Sequence, residues 1–433
     1  MNDNKIVEPR TLPGFMELLP TEQIQFNQIK QVIQETYEKF GFLPIDTPII
    51  ESSEVLLAKA GGETEKQIYR FNKGDTDLAL RFDLTVPLAK YVAKNYGVLS
   101  FPFRRYQIGK VYRGERTQRG RYREFYQCDI DIIGDGELGI MNDAEIPSII
   151  YQIFSKLNFG KFTIRFNNRK LLGGFFSSLN LEDKITDILR IVDKIEKAGE
   201  QAVKEMLSEL EINEEIANRI IEFITTKENI ISYLEELKIE NEKFQEGLEE
   251  IKIVSKYMES FGIPQEYYQI DLSIARGLDY YTGTVYETVL DEHPEIGSVC
   301  SGGRYDNLAE FYTNKKLPGV GISIGLTRLF YVLNEYQLLK NENAKSISKV
   351  IVIPMVEDFT YPIQVATILR EKGIQTEIYL ENKAMKKKMN YANKQNIPYA
   401  IIIGEDEVKE QTITLKDMVS GEQKTIKLEE LEI

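Results

Sequence analysis

The side chains best suited to bind a charged ligand are concentrated between residues 101 and 134. The stretch 115–123 surrounds Gly120 with four arginines, which are Arg116, Arg119, Arg121 and Arg123. Guanidinium groups bind phosphate and carboxylate oxygens through paired hydrogen bonds. If 124–133 is a strand, its alternate side chains share a face, and one face carries Phe125, Gln127, Asp129 and Asp131. Because aspartate and glutamine are poor strand residues, this face predicts a pocket for a small polar or cationic ligand.

Two strands must position these groups. Alternation of side-chain types predicts strands over 105–113 and 124–133, joined by the arginine-rich loop. An ordinary amphipathic hairpin with a solvated, charged tip is the alternative interpretation. The arginines and the carboxylates would lie at the same end of one sheet, which favours the pocket.

Length and composition exclude several classes of protein. The chain has 433 residues, enough for two or three domains with their own cores. It contains no apolar run long enough to span a bilayer, and its polar N-terminus lacks the core of a signal peptide. We therefore expect a cytoplasmic protein with no membrane partner. Cys128 and Cys300 are expected to be buried thiols in a reducing compartment.

Charge and histidine content narrow the chemistry further. The net charge of −14 argues against indiscriminate coating of nucleic acid, although local basic patches can still bind it. His293 is the only histidine, so Ser-His-Asp triads and multi-histidine metal sites are excluded unless His293 itself acts. Catalysis must then rest on Arg, Asp, Glu or Tyr, on a bound metal, or on the substrate.

Hydrophobic periodicity predicts the elements around the hairpin. They are helices at 21–40, 88–95, 142–157 and 326–336, an extended segment at 42–50, and strands at 78–83, 162–166, 268–274, 284–290 and 319–324. Asp83 and Thr85 stand where a strand gives way to a helix, either as ligand groups or as an ordinary helix cap. Arg328 falls in the first turn of its helix, where the helix N-terminus and a guanidinium together favour a phosphate.

Two regions differ in composition from the rest. Residues 168–261 are almost wholly helical and rich in Glu, Lys, Ile and Leu, which predicts an inserted helical subdomain. After a polar stretch, strands at 350–354, 375–380 and 399–404 alternate with helices at 361–372 and 383–396. This alternation predicts a small parallel-type α/β domain. Its second helix contains MKKKMNYANK, a basic patch that is either a solvated surface or an RNA contact.

Several short motifs together resemble the histidyl-tRNA synthetases of class II. Arg113-x-Glu115 followed by the arginine loop and Arg123-x-Phe125-x-Gln127 is similar to motif 2 of class II synthetases. Motif 1 is resembled by the predicted helix at 21–40 followed by Gly41-Phe42, a strand, Thr47-Pro48 and Glu51. The stretch GVGISIGLTRL matches motif 3. RFDLTVPLAKYV, RGLDYYTG at 276–283 and VCSGGRYDNL resemble segments particular to the histidyl enzymes.

The resemblance implies an architecture. The expected fold class is an α+β catalytic core, an antiparallel sheet flanked by helices, with a helical insertion and a C-terminal α/β anticodon-binding domain. The expected boundaries are 1–167 and 262–337 for the catalytic core, 168–261 for the insertion and 349–433 for the anticodon-binding domain. Motif 1 implies a homodimer, and the insertion is implied to clamp the acceptor stem.

The implied reaction is that of a histidine–tRNA ligase, with L-histidine, ATP and tRNA(His) as its partners and Mg²⁺ as cofactor. ATP and histidine would give histidyl-adenylate and pyrophosphate, and histidine would then pass to the 3′ end of the tRNA. The α-carboxylate of histidine is already a nucleophile, so the chemistry needs charge stabilisation at the α-phosphate rather than a strong base.

The resemblance also implies roles for individual residues. Arg113 and Arg276 would be catalytic, bracketing the α-phosphate beside the histidine. Arg328 would hold the γ end with Mg²⁺, and no protein residue is expected to ligate a metal. Phe125 would stack on adenine with Glu115 nearby, and Arg121, Arg116 and Gln118 would contact the triphosphate or the acceptor end.

The implied histidine-binding set spans four segments and includes the two catalytic arginines, Arg113 and Arg276. Asp83, Thr85 and Gln127 would receive the α-ammonium group, with Leu84 in the same segment. Asp131 and Tyr281 would read the two imidazole nitrogens, with Tyr280 nearby and Tyr305 closing the pocket.

Two other functions would share part of this pattern. A synthetase-like regulatory subunit that binds histidine typically lacks the C-terminal domain and has a degraded RGLDYY motif. This chain has the domain and an intact motif. A non-catalytic tRNA- or nucleotide-binding module would not need Arg113, Arg276 and Arg328 together. Both comparisons favour the ligase.

Overall fold

The computed structural model describes residues 7–58, 63–275, 280–339 and 345–431. Contacts divide the chain into two compact units, and the division falls within the first helix. The first unit comprises Met1–Met16 and Lys30–Leu338, and the second comprises Glu17–Ile29 and Leu339–Ile433. Within the described ranges, none of the helices combines the length and the apolar composition that crossing a bilayer requires.

Eleven strands form two sheets in the described part of the first unit. They are β1 (Leu43–Pro44), β2 (Ile50–Ser52), β3 (Arg70–Lys73), β4 (Thr76–Leu80), β5 (Phe103–Tyr112), β6 (Glu124–Ile133), β7 (Phe162–Asn168), β8 (Tyr268–Ile270), β9 (Thr284–Leu290), β10 (Cys300–Tyr305) and β11 (Gly319–Gly325). The large sheet has the order β1-β5-β6-β11-β10-β9-β7-β8, and the small one β2-β4-β3. The six central strands of the large sheet are antiparallel, and β1 and β8 pair in parallel at its two edges.

The register brings polar groups together at the middle of the large sheet. Asp131 of β6 lies opposite Arg105 of β5 on one side and Gly321 of β11 on the other. The two faces of β6 alternate as predicted, and Cys128 and Ile130 on the apolar face are fully buried. The sheet therefore holds a row of polar side chains inside the first unit.

Helices flank this sheet and form the insertion. They are α1 (Pro20–Lys39), α2 (Ser53–Leu57), α3 (Glu63–Gln67), α4 (Thr85–Asn95), α5 (Met141–Leu157), α6 (Arg169–Ser178), α7 (Ile185–Val192), α8 (Ile195–Glu209), α9 (Glu214–Thr225), α10 (Ile230–Glu236), α11 (Glu242–Ser260) and α12 (Leu326–Glu335). Helix α4 begins at Thr85, three positions before the predicted start. Pro87 falls in its first turn, where a missing N–H costs no helical hydrogen bond.

The insertion is helical as predicted, and three of its helices, α6, α9 and α11, begin after an asparagine that caps them. The side chains of Asn168, Asn213 and Asn241 accept hydrogen bonds from the backbone N–H groups of Lys170, Ile216 and Phe244 at 2.8, 2.9 and 3.2 Å. Asparagine at the N-cap satisfies N–H groups that have no partner within the helix. Phe175 of α6 stacks on Phe223 of α9 with ring centroids 3.8 Å apart, which joins the two helices through their apolar faces.

The second unit contains a five-stranded sheet that corrects one prediction. Its strands are β12 (Val350–Pro354), β13 (Thr376–Ile378), β14 (Tyr399–Ile403), β15 (Thr412–Asp417) and β16 (Gln423–Lys427), and its further helices are α13 (Thr360–Glu371), α14 (Met385–Lys394) and α15 (Glu405–Glu410). The order is β13-β12-β14-β15-β16. The first three strands are parallel as predicted, but β15 and β16 are antiparallel. The sheet is mixed because the connections 404–411 and 418–422 are too short for parallel crossovers.

Candidate active site

Asp131 is the most firmly held group on the polar face of β6. Its Oδ2 lies 2.6 Å from Nη2 of Arg105, and its Oδ1 accepts a hydrogen bond of 2.6 Å from the hydroxyl of Tyr305. Arg105, Asp131 and Tyr305 are 0%, 2% and 3% exposed. Any Cβ on Gly321 would overlap Oδ1 of Asp131, so only glycine leaves room for this carboxylate.

Burial sets the electrostatics of this face. It raises the pKa of Asp131 to about 6, against the opposing effects of Arg105 and the Tyr305 hydrogen bond. It raises the pKa of Asp129 to about 7, with Arg105 opposing and Asp131 reinforcing the shift. Near neutral pH, Asp131 is therefore mostly ionised, whereas Asp129 exchanges readily between its two protonation states.

Several buried polar atoms of this face have no hydrogen-bond partner within the described ranges. They are Oε1 of Gln127, Oδ1 of Asp129, and Nε and Nη1 of Arg105. The amide nitrogen of Gln127 donates to Oγ of Ser323 at 2.8 Å, which fixes the side chain on the sheet. A buried polar atom without a partner costs about 1–3 kcal/mol, so such a cluster is suited to a polar ligand.

The segment Asp83–Leu84–Thr85 lies at the start of α4, as predicted. Oδ1 of Asp83 accepts from the backbone N–H groups of Thr85 at 3.1 Å and Val86 at 2.9 Å, so the helix-cap interpretation is realised. Burial raises the pKa of Asp83, and the Val86 hydrogen bond and Arg113 oppose this shift. Nη2 of Arg105 lies 3.5 Å from the carbonyl oxygen of Leu84, which ties this segment to the Asp131 cluster.

Three tyrosines meet above this face. The rings of Tyr280 and Tyr281 lie edge to face at 5.0 Å, and Tyr280 meets Tyr305 at 5.9 Å. In an extended strand two adjacent side chains would point to opposite faces, but Tyr280 lies in a turn, and its ring contacts that of Tyr281. Arg276 of the same motif lies outside the described residues.

Arg113 lies between two aromatic rings. Its Cζ is 4.3 Å from the ring centroid of Phe82 and 5.1 Å from that of Phe125, and its Nε donates to the Phe82 carbonyl at 3.1 Å. Cation–π contacts of this kind hold a guanidinium while its remaining N–H groups can bind a ligand. Arg113 and Phe125, predicted for the phosphate and the adenine, thus form one stacked unit.

The arginine-rich loop and the N-terminus of α12 line a cavity of about 890 Å³. Arg121 and Arg328, both predicted to bind phosphate, and Gln118 are among its lining residues. Arg328 donates to the carbonyl of Ile296, and Arg121 lies 3.7 Å from Glu115. None of the described residues that were predicted to bind histidine lines this cavity, and neither do Arg113, Glu115 and Phe125 of the predicted ATP set. Arg113 instead lies against Phe82, next to the Asp83 segment.

The loop arginines divide by role. Nε of Arg123 donates to the carbonyl of Glu115 at 3.2 Å and so holds the loop closed. Arg119 forms an exposed ion pair with Glu335 at 3.0 Å, although it also borders the cavity. Arg116 is exposed. The whole loop was predicted as a phosphate site, whereas in the described structure Arg123 braces the backbone.

Sequence reasoning missed Arg105 as a site residue. It lies on β5 at an even spacing from Gln107 and Gly109, so the same alternation places it on the polar face. An arginine at the first position of a predicted strand was the available signal, because such a residue is rarely buried without a partner. Ser323 carried no comparable signal, since serine is common in any strand.

Comparison with known proteins covers nearly the whole chain. A family model described as histidyl-tRNA synthetase matches residues 14–329, and one described as anticodon binding domain matches residues 349–432. A histidine–tRNA ligase of Clostridium tetani is 60% identical over 428 residues, covering 98% of this chain and 97% of the relative. That of Clostridium acetobutylicum is 47% identical over 431 residues, covering 99% and 100%.

A solved structure shares the fold. The crystal structure of histidyl-tRNA synthetase from Nostoc sp. PCC 7120 superposes with a TM-score of 0.88 at 41% identity. The match covers 98% of this chain and 97% of that one. The similarity therefore extends over both compact units and the insertion.

Proposed function

This chain belongs to the histidyl-tRNA synthetase family, and we propose that the cluster around Asp131 binds L-histidine and that the arginine-lined cavity binds ATP. The activity is that of a histidine–tRNA ligase, which couples ATP cleavage to the joining of histidine and tRNA. One observation carries the assignment of the histidine site. It is the buried Asp131, held by Arg105 and Tyr305 beside polar atoms that lack partners within the described ranges.

The histidine would bind with its side chain toward Asp131 and Tyr281. A buried carboxylate held in one orientation accepts an imidazole N–H, and a ring that cannot donate there leaves the carboxylate unpaired. The α-ammonium group would lie between Gln127 and the Asp83–Thr85 segment, where Oε1 of Gln127 is a buried acceptor. Tyr280 and Tyr305 would enclose the ring through the aromatic contacts described above.

The first chemical step needs positioning and charge stabilisation. The α-carboxylate oxygen of histidine would attack the α-phosphorus of ATP, and the bond to the bridging oxygen of pyrophosphate would break. Arg113 supplies a fixed cation for the charge that develops on the phosphate, and Arg276 would supply the second. Arg121 and Arg328 would hold the leaving pyrophosphate in the cavity, with Phe125 stacked on adenine and Glu115 beside it.

Mg²⁺ would enter with the nucleotide. Among the described residues, no group of three or more His, Cys, Asp or Glu side chains is arranged to hold a metal ion. Mg²⁺ retains waters and takes phosphate oxygens readily, so we assign its main ligands to the triphosphate. Its charge would offset that of the leaving pyrophosphate.

The second step requires tRNA(His) on the same protein. A ribose hydroxyl at the tRNA 3′ end would attack the carbonyl carbon of histidyl-adenylate, and AMP would leave. The anticodon-binding match over residues 349–432 supports a tRNA contact in the second unit. The exposed Lys386 and Lys387 of α14 offer charges for the phosphate backbone. Such a complex would form in the cytoplasm, where translation takes place.

We also propose a homodimer. Leu43 on β1, an edge strand of the large sheet, is 59% exposed, and Ile50 on β2, an edge strand of the small sheet, is 48% exposed. Ile49 beside it is 40% exposed. Apolar groups gathered at an unpaired sheet edge favour association with another chain. The edge follows α1, the helix that resembles motif 1.

The decisive experiment is histidine-dependent exchange of labelled pyrophosphate into ATP, followed by a tRNA charging assay. Each of the other amino acids is tested in the same exchange assay. We expect exchange with histidine and subsequent charging of tRNA(His). Histidine binding without exchange would instead indicate a regulatory histidine-binding subunit, and exchange with another amino acid would refute the assigned substrate.

A further inference from the structure

Asp129 is a buried carboxylate that the proposed roles leave unused. It lies on β6 between Gln127 and Asp131 on the same face and is 3% exposed. Its cross-strand neighbours are Gln107 on β5 and Ser323 on β11. Its Oδ1 has no hydrogen-bond partner among the residues that the structure describes. A buried carboxylate oxygen in that condition is suited to a ligand that brings a donor.

The carboxylates around Asp129 outnumber the guanidinium groups that balance them. Within the described part of the chain, the carboxylates of Asp83, Asp129 and Asp131 interact with the guanidinium groups of Arg105 and Arg113. Arg81 also acts on Asp129, but its Nη1 lies 3.5 Å from Asp46, and this pair adds no net charge. The remaining three acids and two bases leave one negative charge in excess when all are ionised. Histidine with a protonated side chain carries one net positive charge, so this form would restore the balance.

The groups that act electrostatically on Asp129 come from every neighbouring element. The cations are Arg105 of β5, Arg113 just after β5, and Arg81 before α4. The other titratable groups are Asp131 and Cys128 of β6, Asp83 before α4, Tyr37 of α1, Tyr281, and Cys300 of β10. A hydrogen bond with Ser323 of β11 acts with Arg105 against the raised pKa of Asp129. Among the cations, Arg105 lowers the pKa of Asp129 the most. Arg105 is, however, already paired with Asp131, whose Oδ2 lies 2.6 Å from its Nη2. Asp129 is therefore the carboxylate of this set with a proton to exchange.

We propose that Asp129 is a second specificity-determining carboxylate of the histidine site, and that it shares one proton with the imidazole ring of the substrate. The inference rests on the proposed histidine site. The complex would hold either the carboxylate with an imidazolium or the carboxylic acid with a neutral imidazole, and the two have the same number of protons. No proton needs to leave the buried site for either pair to form.

This sharing predicts a distinctive pH dependence for histidine binding. Burial raises the pKa of Asp129 to about 7, and free histidine has a side-chain pKa of about 6.5. Below both values the acid and the imidazolium together hold one proton too many, so binding releases a proton. Above both values they hold one too few, so binding takes one up. The affinity is therefore greatest near neutral pH and falls toward about tenfold per pH unit on either side.

The test is calorimetric titration of the full-length protein with L-histidine between about pH 5 and pH 9, in buffers of different ionisation enthalpy. We expect the number of linked protons to change sign near neutral pH. In Asp129→Asn we expect about tenfold weaker binding at neutral pH and no proton uptake on the alkaline side. The isosteric probe 1,2,4-triazolylalanine, whose ring stays neutral, should lose affinity in wild type only as the pH rises.

Two variants separate Asp129 from its surroundings. Asp135→Asn changes an exposed carboxylate just beyond β6 and should bind histidine as wild type does. Asp131→Asn should weaken binding but keep the alkaline proton uptake. Wild-type affinity and proton linkage in Asp129→Asn, or loss of the alkaline uptake in Asp131→Asn alone, would overturn the inference. Absence of histidine-dependent pyrophosphate exchange in the wild type would instead overturn the proposed function.

Discussion

Both oxygens of the Asp131 carboxylate are held by hydrogen-bonding groups from other strands of the sheet. Arg105 and Tyr305 each lie 2.6 Å from one oxygen, and they come from β5 and β10. Two such contacts fix the orientation of a planar group, which is what discrimination between similar ring systems requires. The same contacts make the site sensitive to any change that moves the carboxylate.

Gly321→Ala tests that sensitivity. A Cβ at this position would overlap Oδ1 of Asp131, and the backbone around it offers no room for displacement. We expect the KM for histidine in pyrophosphate exchange to rise by about tenfold or more, because the carboxylate must shift. Gly97→Ala is the matched control, since no atom lies within 4 Å of its added Cβ. Equal KM values for the two variants would contradict this account of Gly321.

Asp129 makes a second residue-scale prediction, on stability. Burial raises its pKa to about 7, above the value of about 3.9 in an unfolded chain. The native state then binds more protons between these two pH values, so the free energy of unfolding falls as the pH rises through them. Asp129→Asn should gain stability relative to wild type over this window, by on the order of a few kcal/mol at neutral pH.

Urea unfolding of both proteins at successive pH values measures this difference. The sign matters more than the size, because a carboxylate whose ionised form is stabilised by the native state would give the opposite slope. A difference that stays constant from pH ~4 to ~7 would show that the native state does not favour the protonated form.

At the scale of elements, α14 separates two kinds of lysine. Lys386 and Lys387 are exposed, whereas Lys388 is 3% exposed and its Nζ donates to the carbonyl of Pro354 at 2.5 Å. Burial also lowers the pKa of Lys388. The three consecutive lysines of this basic patch are therefore two surface charges and one buried side chain that holds the backbone of Pro354.

Substitution of these lysines should separate tRNA binding from folding. We expect the double variant Lys386→Ala, Lys387→Ala to raise the KM for tRNA several-fold and to weaken its salt dependence, with pyrophosphate exchange unchanged. Lys388→Ala should instead cost about 1–3 kcal/mol of stability, since it leaves a buried carbonyl without its donor. An unchanged KM for tRNA in the double variant would remove α14 from the tRNA interface.

The local sequence pattern predicted the first and last residues of some strands correctly and missed other strands. Strands β6, β9 and β12 have the predicted bounds because their alternation or apolar run stops abruptly at both ends. The hairpin of β15 and β16 was not predicted, since residues such as Lys416 and Lys424 make its sequence look like a solvated loop. The pairing of Arg105 with Asp131 also depends on the register between strands, which no local pattern contains.

At the scale of the whole molecule, the exposed apolar edge near β1 predicts association. Leu43→Glu combined with Ile50→Glu introduces charges that would be buried in a dimer, so we expect the protein to become monomeric. Light scattering after size-exclusion chromatography gives the mass of each variant. Val419→Glu changes an apolar residue that is 89% exposed in the second unit and should leave the mass as in wild type. A dimeric double variant would exclude this edge as the interface.

The family resemblance carried the whole-molecule prediction further than composition could. Composition indicated a globular chain with room for two or three domains, and the motifs then implied which domains these were. The antiparallel centre of the large sheet agrees with that implication, and the parallel edge strands β1 and β8 add to it. The division of the chain at 167, 261 and 337 stays a prediction.

The central position of β6 has a consequence for how the protein is made. Its partner β11 begins at Gly319, and the Tyr305 hydroxyl that holds Asp131 comes from a residue 174 positions later in the chain. A ribosome delivers the chain from its N-terminus, and contacts this distant cannot form until the later strand has emerged. The nascent chain therefore carries its insertion before it can complete the Asp131 cluster. Histidine bound at the proposed site would therefore stabilise this fold only once β11 has left the ribosome.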